Sequence, residues 1–330
     1  MRQLMISLDR SILDPHSRAA GRMRQYGETD ELFIIIPAPE RAALDLSPTV
    51  HVQSTGGNKP QQFFRLLASG KRLIQERQIP AITAQDPFGT GLIGWFLKYE
   101  TGAALTVQAH GDFYLSAYYR HGSLGEQLRW HLGKFVLRRA TWVRAVGERV
   151  KRGVLSLGVA ADKITVQPIA VDTAAIRAWA PRFSAREKYP GFGPIFLWLG
   201  RLDPVKNVPW LVKTFAAVVR ERPRALLLLA GAGRAEARIR RLIKKLRLEN
   251  NVKLEGWTAD PWSYLKTVDA LLLPSLSEGY GLAVMEAMAA GTRVIMNDVG
   301  VANYEVLPGE SVQILPINNQ EQWVKALRAI

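Results

Sequence analysis

Short apolar runs alternate with helix-forming segments along the whole chain, and this alternation limits the fold more than any other feature. The runs are continuously apolar, as in LFIIIP at 32–37 and ALLLLAG at 225–231. Strands of this kind are usually buried on both faces, as in parallel sheets whose strands are joined by helices. The sequence therefore predicts an α/β fold with parallel sheets that are covered by helices on both sides.

The pattern occurs twice, which predicts two doubly wound, Rossmann-like domains. A polar segment rich in Gly and Pro, RFSAREKYPGFGP at 182–194, separates them, and we place the domains at 1–175 and 176–330. Ligands of such sheets bind at the carboxyl ends of the strands, so we expect the two domains to face each other across a binding cleft. Strands are predicted over 3–8, 32–37, 49–53, 81–84, 104–109, 141–146, 195–200, 225–231, 252–256, 270–275 and 293–298. Helices are predicted near 17–26, 61–76, 90–99, 124–138, 208–221, 235–248, 261–267 and 281–290.

The composition favours a cytoplasmic protein. The sequence has no cysteine, which excludes disulfides and thiolate metal sites. Asp9 and Arg10 interrupt the first apolar run, so the expected core of a secretory signal is missing. No window of the sequence approaches the roughly 18 apolar residues that a membrane span requires.

The net charge of +15 is concentrated in two stretches. Residues 113–153 contain nine Lys or Arg against two Glu, and residues 234–249 contain seven against two. Clustered cations suit an anionic surface such as phospholipid or nucleic acid, and solvated helix faces are the alternative. The sequence contains no recognised nucleic-acid-binding module, so we expect no nucleic-acid partner.

The loop GRLDPVKN, which follows the strand predicted at 195–200, carries two cations. Gly200 permits a sharp turn, and Asn207 is a good capping residue for the helix predicted from 208. Arg201 and Lys206 then flank a helix N-terminus, which is an arrangement suited to a diphosphate. A surface turn with two solvated cations is the alternative.

The segment PSLSEGYGLAVMEAMAAG at 274–291 places two carboxylates in an otherwise apolar setting. Glu278 lies in a loop, and Glu286 lies about one turn into a predicted helix that Gly291 ends. A carboxylate that is buried without a partner is costly, but hydrogen bonds from ligand hydroxyls, such as those of a ribose, stabilise it. The alternative is a Glu286 that is exposed or paired with an arginine.

This segment resembles the E-x7-E motif of the retaining GT-B glycosyltransferases of family four, the glycosyl transferases group 1. GRLDPVKN, LLLAGAG, VKLEGW, DALLLPS and GTRVI resemble motifs of the same family in the same order, and ATWVRAVGERVKRGV with KITVQPIAVDTAAI resembles its domain junction. The resemblance implies the GT-B fold. Members usually continue several tens of residues past the position of Ile330, so we expect a truncated C-terminal end.

The resemblance also implies that the second domain holds a nucleotide-sugar donor. Arg201 and Lys206 would bind the diphosphate, Glu286 the ribose hydroxyls, and Glu278 the hydroxyls of the sugar. His110, which follows a predicted strand end, would point to the transferred sugar, and a purely structural histidine is the alternative. The implied catalytic residues are His110, Glu278, Arg201 and Lys206. The implied donor-binding residues are Gly200, Arg201, Lys206, Glu278 and Glu286, together with the amides of Gly279, Tyr280, Gly281 and Leu282. Gly256 and Trp257 complete the implied donor site, where they would lie near the base.

The implied reaction is the transfer of a hexose with retention from a UDP-, GDP- or ADP-sugar to a cell-surface glycan or a lipid-linked acceptor. The sequence has no D-x-D triplet and the family is metal-independent, so we expect neither a metal nor another cofactor. The cations and the helix N-terminus would stabilise the departing diphosphate. We also expect peripheral attachment to the inner face of an anionic membrane through the basic stretch LRWHLGKFVLRR, with Trp130 at the interface. A nucleotide-sugar epimerase of the GT-B type and an inactive nucleotide-sugar-binding relative remain open as alternatives.

Overall fold

The chain forms two compact units in a computed structural model that describes residues 1–120 and 122–330. The first unit comprises residues 1–146 and 150–167, and the second comprises residues 147–149 and 168–330. Each unit is built on one sheet, so the prediction of two Rossmann-like halves is confirmed.

Strands follow the predicted apolar runs closely. Those at 81–84, 104–109 and 252–256 match the prediction residue for residue, and most others differ by one or two positions at an end. In the part of the chain that the structure describes, the strands are β1 (Arg2–Ile6), β2 (Glu31–Ile36), β3 (Ala43–Ser47), β4 (Val50–Ser54), β5 (Ala81–Ala84), β6 (Ala104–Ala109), β7 (Trp142–Ala145), β8 (Ile164–Val166), β9 (Ile195–Leu199), β10 (Leu226–Ala230), β11 (Val252–Gly256), β12 (Ala270–Leu273), β13 (Arg293–Asn297) and β14 (Val312–Leu315).

Helices occupy the segments between the strands. Side-chain caps start several of them, as where Asn58 and Gln61 form a reciprocal capping box at the start of the helix that begins at Lys59. In the described residues the α-helices are α1 (Arg18–Tyr26), α2 (Lys59–Arg77), α3 (Gly89–Thr101), α4 (Ala117–Arg120), α5 (Leu124–Arg139), α6 (Glu148–Ser156), α7 (Thr173–Ala178), α8 (Ala185–Lys188), α9 (Val208–Glu221), α10 (Glu236–Lys245), α11 (Pro261–Leu265), α12 (Leu282–Ala289) and α13 (Gln320–Arg328).

The first unit has a sheet with the strand order β3-β4-β2-β1-β5-β6-β7-β8. All neighbours are parallel except β3, which runs antiparallel to β4 at the edge. The sequence analysis missed β3 because four of the five residues of this edge strand are half-exposed or exposed, which leaves no continuous apolar run. It also missed the short strands β8 and β14.

The second unit has a fully parallel sheet with the strand order β11-β10-β9-β12-β13-β14. All five residues of β10 are buried, as expected for a central strand with helices on both faces. Phe196, Trp198, Phe215 and Trp323 are fully buried in one core that β9 shares with α9 and α13. This core fixes the positions of β9 and β12, whose carboxyl ends carry the predicted site.

Candidate functional site

The loops after β9 and β12 begin side by side at the carboxyl edge of the second sheet. After β9 the chain moves toward β10 on one side, and after β12 it moves toward β13 on the other. This reversal of strand order opens a crevice where ligands of doubly wound sheets bind. The two loops are joined by a hydrogen bond from the Leu276 amide to the Val205 carbonyl at 2.8 Å.

Lys206 and Glu278 form an ion pair in this crevice. Lys206 Nζ lies 2.6 Å from Glu278 Oε1, and Ser275 Oγ donates to the same oxygen at 2.7 Å. The two charged side chains are 20% and 9% exposed, so water screens the pair only partly. The fold thus brings together two of the residues that the sequence analysis assigned to one ligand.

Glu278 is held in place by close packing against Gly300. A Cβ atom on Gly300 would lie 2.9 Å from the Glu278 Cβ and 2.5 Å from the Tyr280 carbonyl oxygen. Gly300 also has a φ of +59°, in the left-handed region that favours glycine. Only a glycine therefore lets the chain pass this close behind the carboxylate.

The segment from Gly279 to Leu282 leads directly into α12. Tyr280 is buried, and its carbonyl oxygen accepts the Val301 amide at 2.9 Å. Gly281 has a φ of +104°, and α12 begins at Leu282 with no side-chain cap. The first amides of a helix have no partner within that helix and carry its positive dipole end, so this end can receive an anion.

Arg201 lies on the same loop as Lys206 but pairs elsewhere. Its guanidinium is 3.5 Å from Asp203, and Arg234 lies 3.5 Å from the other oxygen of the same carboxylate. The Arg201 side chain is 83% exposed, so its geometry is set by solvent as much as by protein. The loop itself is tightly packed at Gly200, whose carbonyl oxygen would lie 1.7 Å from a Cβ on Gly231.

Asn207 precedes α9 as predicted, but the prediction that its side chain caps the helix is wrong. Its backbone is left-handed, with φ of 56°, and the side chain makes no cap hydrogen bond. The amide instead donates to the Pro274 carbonyl at 3.3 Å and to Asn318 at 2.9 Å. Asn207 therefore ties the β9 loop to the end of β12.

Glu286 is a half-buried carboxylate one turn into α12, where the sequence placed it. The indole of Trp262 donates to its Oε1 at 3.3 Å. Burial raises the pKa of Glu286 above its ordinary value, and the Trp262 hydrogen bond partly opposes that rise. The partner is thus an indole rather than an arginine, and the carboxylate is not compensated by that contact alone.

Gly256 and Trp257 lie at the end of β11. Gly256 has a φ of +73°, and its carbonyl oxygen accepts the Gly231 amide at 2.6 Å. Trp257 is 77% exposed, which leaves its ring free to stack on a planar ligand. The preceding Glu255 is almost fully buried and accepts hydrogen bonds from Lys188, Tyr189 and Tyr264. Burial opposes ionisation of Glu255, but these donors outweigh it and hold its pKa below the ordinary value.

His110 directly follows β6 in the first unit. Its Nε2 lies 2.7 Å from Gln108 Oε1. Burial and the charge of Arg144 lower the pKa of the imidazole below its ordinary value of 6.5, and Asp86 opposes them. The imidazole is therefore mainly neutral at pH 7, and with Nε2 donating to Gln108 its Nδ1 is a hydrogen-bond acceptor.

The sequence analysis missed four side chains that shape the site: Asp203, Arg234, Ser275 and Trp262. Asp203 lies within the loop GRLDPVKN, and Arg234 directly follows the motif LLLAGAG, so their positions beside predicted site residues could have identified them. Ser275 lies three residues before Glu278, but nothing in the sequence indicated that its hydroxyl contacts that carboxylate. Trp262 lies 24 residues from Glu286, and only the packing of α11 beside α12 brings them together.

The described residues contain no group of three or more His, Asp or Glu side chains arranged to hold a metal ion. A search of the same residues for helices long and apolar enough to cross a bilayer finds none.

Two family models match the two halves of the chain. Residues 28–175 match Glycosyltransferase Family 4, and residues 182–330 match Glycosyl transferases group 1. The chain belongs to the group 1 glycosyltransferases with the GT-B fold. This confirms the family that the motifs around Glu278 and Glu286 predicted.

Several curated relatives are named as glycosyltransferases. The D-inositol 3-phosphate glycosyltransferase of Segniliparus rotundus is 30% identical over 225 residues, which are 64% of this chain and 49% of the relative. An uncharacterized glycosyltransferase of Methanocaldococcus jannaschii is 34% identical over 113 residues, which are 34% of this chain and 28% of the relative. The chain thus spans about half or less of the length of these curated relatives.

Solved structures share the same architecture. HepE of Anabaena, crystallised with UDP and with UDP-glucose, superposes with TM-scores of 0.75 and 0.76. Both alignments cover 100% of this chain and 89% of HepE, at 17% sequence identity. At that identity the likeness shows the GT-B fold and no more.

Proposed function

We propose that the chain is a glycosyltransferase that moves a hexose from a nucleotide-diphosphosugar to an acceptor with retention of configuration. The observation that carries the proposal is the Lys206–Glu278 pair at the crevice between β9 and β12, next to the open N-terminus of α12. A lysine and free helix amides suit the diphosphate oxygens of such a donor, and a carboxylate suits its sugar hydroxyls. The UDP and UDP-glucose complexes of HepE, which shares the fold, support a nucleotide-sugar donor.

Each predicted residue has a role in this proposal. Lys206 and Arg201 neutralise the charge that develops on the diphosphate as the bond to the sugar breaks. The amides of Gly279 to Leu282 stabilise the same charge with hydrogen bonds. Glu286 accepts the ribose hydroxyls, which explains why this half-buried carboxylate has an indole and no cation as its partner among the described residues. Glu278 binds a sugar hydroxyl, while Gly200, Gly256 and the exposed Trp257 line the nucleotide.

Retention follows from the proposed route of the acceptor. The departing phosphate accepts the acceptor's proton on the same face of the sugar, so the reaction needs no second carboxylate as nucleophile. His110, neutral at pH 7 because its pKa is lowered, hydrogen-bonds to the transferred sugar without adding a charge. We propose that neither metal nor other cofactor takes part.

The acceptor that we propose is a cell-surface glycan or a lipid-linked molecule. Two relatives are named for substrates that carry phosphate, D-inositol 3-phosphate and poly(glycerol-phosphate). The exposed leucines of α5, Leu124 and Leu128, together with the basic residues of the same helix, support peripheral attachment to an anionic membrane.

Thermal denaturation in the presence of nucleotides tests donor binding. UDP, GDP, ADP and their glucose or mannose derivatives are added separately, and a ligand that binds the folded chain raises the midpoint by mass action. Glu286→Ala is expected to weaken the binding of the active nucleotide at least about tenfold, since a hydrogen bond to a charged group contributes roughly 1.5–3 kcal/mol.

Glu221→Ala is the matched control, because Glu221 belongs to the same unit but forms an exposed ion pair with Arg328. It should leave the nucleotide response unchanged. Absence of any response to all nucleotides, or equal responses of both variants, would contradict the proposed donor site. Conversion of the donor sugar to its epimer without an acceptor would contradict transfer.

A further inference from the structure

The first unit contains a second polar cavity, which the donor site does not use. It has a volume of about 380 Å³ and lies between α2 and the strands β3 and β4, at one edge of the sheet. Its cationic and hydroxyl side chains are Arg41, Arg65, Arg72, Ser54, Thr55 and Ser69, and among the described residues no Asp or Glu lines it. A cavity with three guanidinium groups and no carboxylate is set up for an anion.

The loop after β4 brings two of these arginines together. Gly56 is buried and left-handed, with φ of +66°, and a Cβ on it would lie 2.5 Å from the Arg41 Cγ and 3.4 Å from an Arg65 nitrogen. Arg65 Nη1 donates to the Thr55 carbonyl at 3.3 Å, which fixes its side chain and leaves most of its donors available. A side chain at Gly56 would therefore collide with the Arg41 side chain and crowd the Arg65 guanidinium beside it.

Helix α2 supplies the rest of the cationic wall. Arg65, Ser69 and Arg72 are spaced four and then three residues apart, so they lie on one face of the helix. In the described part of the chain none of Arg41, Arg65 and Arg72 forms an ion pair. Lys71, the neighbour of Arg72, points elsewhere and pairs with Glu100 at 3.1 Å.

The cavity also lies at the end of the sheet where ligands of this fold bind. Ser54 ends β4, and Thr55 follows it at the carboxyl edge of the parallel strands. Arg41 reaches the same edge because β3 runs antiparallel to β4, with Ala43 opposite Gln53. The one carboxylate of the adjoining cavity, Asp45, is hydrogen-bonded to His51 at 2.7 Å.

We propose that this cavity binds a phosphate ester group carried by the acceptor. The inference rests on the proposed transferase function and adds to it the chemical class of the acceptor. Arg65 and Arg72 hold the phosphate with charge-assisted hydrogen bonds from the helix, and Arg41 closes it from the loop. The neutral side chains around them, Ser69 and Gln53, contact the hydroxyls next to the ester.

The binding test uses the full chain and soluble probes, sn-glycerol 3-phosphate and inorganic phosphate, in titration calorimetry at low salt. Binding of glycerol 3-phosphate and not of glycerol is expected. The double variant R65Q/R72Q should lose at least about tenfold in affinity for the ester. The single variant K71Q removes one cation from the same helix outside the cavity and should bind as the unaltered chain does.

A lipid source of the phosphate is separated from a free one by a further probe. Monomeric dihexanoyl phosphatidylglycerol is compared with glycerol 3-phosphate and with dihexanoyl phosphatidylcholine as the zwitterionic control. Tighter binding of the anionic lipid than of glycerol 3-phosphate, lost in R65Q/R72Q, assigns the site to a lipid-linked acceptor. Similar binding of the two esters assigns it to a soluble or polymeric phosphate.

The inference is overturned if no phosphate probe binds, or if R65Q/R72Q and K71Q bind it equally. Its failure is distinguishable from failure of the donor site. R65Q/R72Q is expected to retain the full thermal response to the donor nucleotide, because the cavity belongs to the first unit and the Lys206–Glu278 pair to the second. A chain that binds the ester but no nucleotide would leave the cavity in place and remove the transferase proposal.

Discussion

A single carboxylate, Glu286, would oppose stability to function if it binds the donor as we propose. It is half-buried on α12 with one indole donor, and burial raises its pKa above the ordinary value of 4.5. The folded chain therefore holds a proton there more tightly than the unfolded chain does. Stability from this group is present at low pH and is lost as the pH rises through the raised pKa, so the ionised carboxylate costs free energy at neutral pH.

Glu286→Gln is expected to raise the denaturation midpoint at pH 7, because the amide can still accept from Trp262 and carries no charge to desolvate. The gain should vanish near pH 4, where the protonated carboxyl of Glu286 is as neutral as the amide that replaces it. The same variant should weaken the nucleotide response at least about tenfold, since the ribose loses a charged acceptor. Denaturation curves from pH 4 to 8 check the sign, and a lower midpoint at pH 7 than that of the unaltered chain would contradict it.

At the scale of elements, the site depends on how closely the loops at the carboxyl ends of neighbouring strands approach one another. Gly300 lies behind Glu278 and Tyr280, and Gly231 lies against the Gly200 carbonyl. Neither contact leaves room for a methyl group, and both glycines have a positive φ. The loops after β9, β10, β12 and β13 are thus fixed by backbone packing, and the Lys206–Glu278 pair is the result of that packing.

Gly300→Ala is expected to destabilise the chain by about 1–3 kcal/mol through overpacking and strain. It should also displace Glu278 and reduce transfer more than the stability loss explains. Gly309→Ala is the control, because no atom lies within 4 Å of its added methyl group and its backbone is not left-handed. Urea denaturation gives the stability of both variants, and initial rates of sugar transfer give their activity. Equal rates of the Gly300→Ala and Gly309→Ala variants would show that Gly300 has no positioning role.

For the whole molecule, the net charge of +15 bears on the proposed attachment to an anionic membrane. Leu124 and Leu128 are 84% and 71% exposed on α5, beside basic residues of the same helix. Basic residues near an anionic bilayer contribute about 1 kcal/mol each, and salt screens that attraction. The two leucines would add the burial of their side chains in the interface.

The double variant L124S/L128S is expected to bind phosphatidylglycerol vesicles at least about tenfold more weakly than the unaltered chain, in a sedimentation assay at low salt. Leu307→Ser, at a residue of the second unit that is 68% exposed, should have no effect. Binding should also fall as salt is raised. A chain that fails to sediment with vesicles at any salt concentration would remove the membrane proposal and leave the donor site untouched.

Local pattern in the sequence determined which residues form strands and helices. Continuous apolar runs marked the buried strands, because a strand that is covered on both faces of its sheet needs apolar residues at every position. A helical pattern followed by a glycine placed Glu286 one turn into α12 and predicted that the helix ends near Gly291, which has a φ of +78°. The edge strand β3 escaped this logic because half-exposed and exposed residues are under no such constraint.

Only the tertiary structure decided which distant side chains meet. Lys206 and Glu278 are 72 residues apart, and their contact depends on β9 and β12 being neighbours in the sheet. Trp262 beside Glu286, and Arg41 with Arg65 around Gly56, depend in the same way on packing between elements. The apolar pattern specifies that a segment is buried, whereas strand order and loop packing, which involve the whole chain at once, select the polar partners at the sheet's edge.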